Sequence, residues 1–119
     1  MQLLEIDTLQ GAEDGAYNCL NPRENLYHGL PEAEKDEWLK TLGRQPAADW
    51  DREIAYCGFK DVPSVYLVCE GDRLLPVDLQ LHFAGIARSE ILRCEAGHMV
   101  QVSMPERVVE VVKRVLKGL

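Results

Sequence analysis

The stretch SVYLVCEGDRLLP, Ser64 to Pro76, decides how this chain is read. Ser64 to Cys69 is a continuous run of β-branched, aromatic and aliphatic side chains, the pattern of a strand covered on both faces in a parallel sheet. The run breaks at Glu70-Gly71-Asp72. After Pro76, Val77 to Ala87 places Leu79, Phe83, Ile86 and Ala87 at helical spacing. Glu90 to Cys94 repeats the strand signal and ends in a second polar loop, Glu95-Ala96-Gly97-His98-Met99. Strand, helix and strand in this order predict two parallel neighbours joined by a right-handed crossover.

Reactive groups in α/β sheets gather on the loops that leave the carboxyl ends of the strands. The two such loops here carry Asp72 and His98. Neighbouring strands would set them side by side, so the carboxylate could hold the imidazole in one tautomer and raise its basicity. Taken singly, Asp72 is an ordinary turn residue and His98 an ordinary loop histidine. As a pair on adjacent strand ends they are the candidate catalytic residues.

Working outward, the chain ends in a helix predicted to open with a Ser103/Glu106 capping box. Its apolar face is Val108, Val109, Val111, Val112, Val115 and Leu116, with Lys113, Arg114 and Lys117 late and Gly118 at the stop. Upstream, Leu3 to Leu9 is strand-like and Gly11 to Gly15 reads as a turn. NPRENLYHGLPEAEKDEWLKTLGRQP reads as a short helical turn, then a helix with Pro31 near its first position and Gly43 at its stop. Its apolar stripe is Leu30, Ala33, Trp38, Leu39 and Leu42, and the acids of EAEKDE form a solvated face. Asp49 to Lys60 reads as helix then loop. The expected division is a cap-like segment over 1–48 and a core over 49–119 within one compact unit. His28 and His82 read as surface or packing residues.

At 119 residues the chain can hide roughly two-thirds of its unfolded surface, enough for one core. Apolar residues at 46% and charged residues at 28% suit a folded globular protein. A net charge of −7 with scattered cations argues against nucleic acid as a partner. No apolar run approaches the roughly 18 residues that span a bilayer, and the first residues carry acids where a leader would carry bases, so a soluble, cytoplasmic protein is expected. Cys19, Cys57, Cys69 and Cys94 form no C-x-x-C pair and stand apart from the histidines, so neither a disulfide framework, a metal site nor a cofactor is expected.

Together, VPSVYLVCEGDRLLP, the helix after it, EILRCEAGHMV and the proline-led last helix resemble the C-terminal part of the α/β-hydrolase fold, where the acid follows one strand and the histidine the next. LYHGLPEAEKDEWLKTLGRQP is similar to the cap region in a subgroup of small fungal and bacterial hydrolase-like proteins. The resemblance puts Asp72 in the acid position and His98 in the general-base position. It also implies a nucleophile on a G-x-S-x-G elbow, yet Ser64, Ser89 and Ser103 stand in no such motif. Cys94 is close in sequence to His98, but within a strand it reads as a core thiol.

The fold expectation is therefore a truncated α/β-hydrolase-like α/β protein, its short parallel strands flanked by helices and a small helical cap. Two strands leave an apolar edge, to be covered by a homodimer or by a separate chain completing the sheet. The helical cap would bring Trp38 and Leu42 over the two loops and, with Leu74 and Met99, shape a site for a hydrophobic small molecule. Without a nucleophile, His98 and Asp72 would serve non-hydrolytic acid/base chemistry of cyclase or isomerase type in specialised metabolism. The alternatives are a subunit of a split serine hydrolase and a catalytically dead binding or assembly module.

Overall fold

The computed structural model describes residues 9–11, 15–48 and 52–118. The N-terminal part holds β1 (Leu9–Gly11), β2 (Ala16–Cys19), α1 (Pro22–Asn25), α2 (Glu32–Thr41) and β3 (Gln45–Pro46). The C-terminal part holds β4 (Val65–Cys69), α3 (Val77–Ile86), β5 (Glu90–Cys94), α4 (Val100–Ser103) and α5 (Pro105–Lys117). Among the described residues no helix is long and apolar enough to cross a membrane.

β4 and β5 pair in parallel, with Val65 opposite Glu90 and Cys69 opposite Cys94, and α3 makes the crossover. The result is an α/β fold of short parallel strands flanked by helices. Val68 and Cys69 are buried where β4 meets α3, and Cys94 and Ala96 continue that core, with Leu67, Val100 and Met104 packed against it. A second small core, Tyr27 and Leu30, lies in the N-terminal part.

The face that α3 turns inward differs from the one its apolar spacing predicts. Gln80 and Ala84 are buried, whereas Phe83 and Ile86 are exposed. The Gln80 amide explains this. In a parallel ladder alternate residues direct both main-chain groups to the same side. Ser64 and Glu70 bond to β5, which leaves Val65, Leu67 and Cys69 facing the other edge. Gln80 supplies a partner there: its Oε1 accepts from Cys69 N at 2.9 Å, and its Nε2 donates to Cys69 O at 2.9 Å and Leu75 O at 2.8 Å. One side chain thus replaces a strand neighbour at the end of β4.

α3 closes in a Schellman arrangement, Ser89 N–H to Ala84 O and Arg88 N–H to Gly85 O. Arg88 occupies the left-handed position, φ 51°, where glycine is usual.

Several expectations need correction. The capping box does not form: Ser103 Oγ donates back to Met99 O, and Met104 precedes α5 with no side-chain cap. The cause is Pro105, which disfavours helix at Met104 (φ −139°, ψ 59°), so the final helix splits into α4 and α5. No helix forms over residues 52–57, where Ile54 and Tyr56 are exposed, and a 3₁₀ turn, Gly58–Lys60, follows. Residues 49–51, at the start of that expected helix, lie outside the described residues. The cap segment is not wholly helical: β1, β2 and β3 form an antiparallel sheet, with Gly11 inside β1 and opposite Tyr17. The expected strand over 3–9 and turn over 11–15 fall largely outside the described residues. On α2 the buried residue is Lys35, bonded to Glu32, while Ala33, Trp38 and Leu42 face outward.

α5 leaves an apolar stripe uncovered. Arg107 donates to Arg93 O and Arg114 pairs with Glu90, which sets the helix against β5. Val109, Val112, Val115 and Leu116 nevertheless remain exposed.

Candidate active site

The loop after β4 begins as a tight turn, Asp72 N–H to Cys69 O, and Asp72 then caps the next residues with its own side chain. Its Oδ1 accepts the backbone N–H groups of Leu74 at 2.8 Å and Leu75 at 2.9 Å. Oδ2 is left to face His98 Nδ1 at 2.9 Å. The carboxylate is 5% exposed and the imidazole 29%. An ionised carboxylate only accepts, so Nδ1 is the protonated ring nitrogen and the lone pair lies on Nε2. Two backbone amides and an imidazole together hold Asp72 in a single orientation.

The two loops touch through glycine. Gly71 N–H donates to Ala96 O at 3.0 Å, and a Cβ at Gly71 would lie 2.8 Å from Glu95 O. This close approach, continuing the β4–β5 register past the strand ends, brings Asp72 to His98 across 26 residues of sequence.

An open cavity of about 310 Å³ runs from the pair along the free edge of β4, lined by Val65, Tyr66, Leu67, Leu75, Gln80 and Cys69 beside Asp72 and His98. Tyr66 is a site residue missed in the sequence, where it reads as one more strand aromatic. Burial, then the nearby Cys69 thiol and the Asp72 carboxylate, push its phenol above the ordinary value, so at neutral pH it stays a proton donor. Gln80 was missed too. Its spacing of four from Ala84, which puts the two on one face of the helix, was the available signal.

Trp38, Leu42, Leu74 and Met99 do not line this cavity. Trp38 on α2 and Leu42, just after it, are exposed. Leu74 and Met99 are half-buried on the same two loops as the pair. Cys94 does pack in the core, its Sγ 3.9 Å from Cys69 Sγ. Burial, then the neighbouring Cys94 thiol, raise Cys69 to about 12, leaving it no nucleophile at neutral pH. A larger depression of about 730 Å³ lies at the opposite end of β4, around Phe59, Lys60 and Ile86, away from the pair.

Residues 4–111 match the alpha/beta hydrolase family. The chain belongs to that family. It is similar to the alpha/beta hydrolase nvfD of Aspergillus novofumigatus, 30% identical over 106 residues, which is 85% of this chain and 42% of the relative. This α/β hydrolase family member thus spans less than half the length of the relative it matches. The family match over residues 4–111 takes in both loops that carry Asp72 and His98.

Proposed function

We propose that this α/β hydrolase family member binds a hydrophobic small molecule and moves protons on it with His98, oriented by Asp72, as a cyclase or isomerase would. The observation that carries the reading is the His98 Nδ1 to Asp72 Oδ2 contact at 2.9 Å, with Asp72 anchored by two further amides. That arrangement leaves Nε2 as a base at the head of a cavity with apolar walls from Val65, Leu67 and Leu75. The protonated Tyr66 phenol offers a donor in the same cavity. In this reading Leu74 and Met99 add apolar contacts at the two loops, with Trp38 and Leu42 of the cap segment as further apolar substrate contacts. The protein would work in the cytoplasm, where Cys69 and Cys94 stay as free thiols.

The test is proton exchange. Lipophilic ketones incubated with the protein in heavy water should gain deuterium beside the carbonyl, and His98→Ala or Asp72→Asn should stop it. Exchange that survives His98→Ala overturns the reading.

A second reading places the nucleophile of an acyl-transfer reaction on further polypeptide. The free edge of β4 beside the pair and the greater length of the relative favour it. A fluorophosphonate probe that labels only when a partner chain is present would support this reading over the first. In both, the uncovered β4 edge and α5 stripe are closed by a second copy of this chain or by that partner. A stable monomer in light scattering of the purified protein would sink the dimer.

A further inference from the structure

The segment after β2 crosses both loops of the pair. Arg73, the residue after Asp72, pairs through Nη1 with Glu24 Oε2 of α1 at 2.8 Å. His28, the next turn of the same segment, lies against Gly97, the residue before His98. A Cβ on Gly97 would come within 2.5 Å of His28 Cε1 and 2.9 Å of Nε2. The imidazole therefore sits directly over the Gly97 Cα. Tyr27 and Leu30, on either side of His28, are buried at 3% and 8% exposure, so the segment is anchored where it crosses.

We propose that residues 22–30 form a strap that holds the two loops at the separation the Asp72–His98 bond requires, with His28 as the positioning residue for His98. Glu24 fixes the acid side through Arg73, and His28 fixes the histidine side through Gly97. His28 acts by shape. Its Nδ1 is buried with no hydrogen-bond partner, so no polar contact through that atom supports the ring. A side chain at 97 would force the ring to shift, because its Cβ would occupy the space of the imidazole. An exposed ion pair contributes little by itself, so the His28 contact dominates.

The proposal rests on His98 and Asp72 as the reacting pair, yet it is tested without substrate. The Nδ1 proton of His98 is followed by NMR in the full chain, and its exchange rate with water reports how often the Asp72 bond opens. His28→Ala and Gly97→Ala should raise that rate about fivefold, the effect of losing one ordinary packing contact. His28→Phe keeps the ring and removes the orphaned nitrogen, so its rate should stay within about twofold of the parent. Glu24→Gln should raise the rate about twofold. An unchanged rate in folded His28→Ala, or a rate in His28→Phe as high as in Gly97→Ala, overturns the strap. An unchanged rate in Glu24→Gln overturns its two-sided form. Should His28→Ala fail to fold, His28→Phe and Gly97→Ala still decide. Loss of deuterium exchange with the strap intact would reject the proposed chemistry and not the strap.

Discussion

The two ends of β4 are built to different standards. At its carboxyl end, Val68 and Cys69 are buried, Gln80 pairs both main-chain groups of Cys69, and Asp72 is held by two amides and an imidazole. At its amino end, Val62 and Ile86 are exposed beside an open depression. Besides the main-chain bond from Glu90 N–H to Ser64 O, the side-chain contacts that cross there are those of Ser64 Oγ, to Ser89 Oγ at 2.7 Å and to Ala87 O at 3.4 Å. Satisfied polar groups are concentrated at the end where the candidate chemistry sits. Two strands and a small core supply little stability, and local bonds spend it on the geometry of the pair.

Cys69 offers the largest test of this contrast. A thiol held near 12 leaves about a thousandfold less thiolate at pH 8 than an ordinary cysteine, so iodoacetamide should label Cys69 about that much more slowly than a free thiol. The same shift sets a pH window. The unfolded chain releases this proton near 9.0 and the folded chain near 12, so the contribution to stability is complete below pH 9 and is lost as pH rises toward 12. Tyr66, raised from 10.0, acts with the same sign at the alkaline end of that window. Urea midpoints should therefore fall between pH 9 and 11, and less steeply in Cys69→Ala. A flat profile in the parent protein would contradict the burial of this end.

Next in size is Gln80→Ala, which strips partners from Cys69 N, Cys69 O and Leu75 O together. Losing buried partners costs about 1–3 kcal/mol each, so urea unfolding should show a loss of about 3 kcal/mol. Ser64→Ala at the looser amino end should cost about 1 kcal/mol or less by the same measurement. Equal losses from the two variants would erase the distinction between the ends.

The smallest effect should be a gain. Arg88→Gly relieves a left-handed residue in the Schellman turn and should raise stability by about 0.5–1 kcal/mol in thermal unfolding.

Much of the site was legible because parallel pairing is a strong constraint. Once Ser64–Cys69 and Glu90–Cys94 read as neighbouring strands, their carboxyl-terminal loops had to emerge together, and with them Asp72 and His98. What escaped the reading depends on contacts distant in sequence. Gln80 faces inward because a main-chain donor and acceptor on β4 need a partner, and the apolar spacing of α3 does not encode that need. His28 reads as a surface or packing residue, and nothing local says that it lies on Gly97. The Ser103/Glu106 signature failed for a local reason: Pro105, inside the motif, moves the helix start past Ser103.

By itself the sequence determined the parallel strands, the α3 crossover and the two loops that carry Asp72 and His98. Those outcomes follow from short-range preferences: β-branched runs extend, helical spacing coils, and glycine and proline punctuate. Tertiary structure alone decided which face of α3 turns inward, that Tyr66 shares a cavity with the pair, and that residues 22–30 cross both loops. These depend on which main-chain groups lack a partner and on how closely two backbones approach. Both are set by neighbours far along the chain.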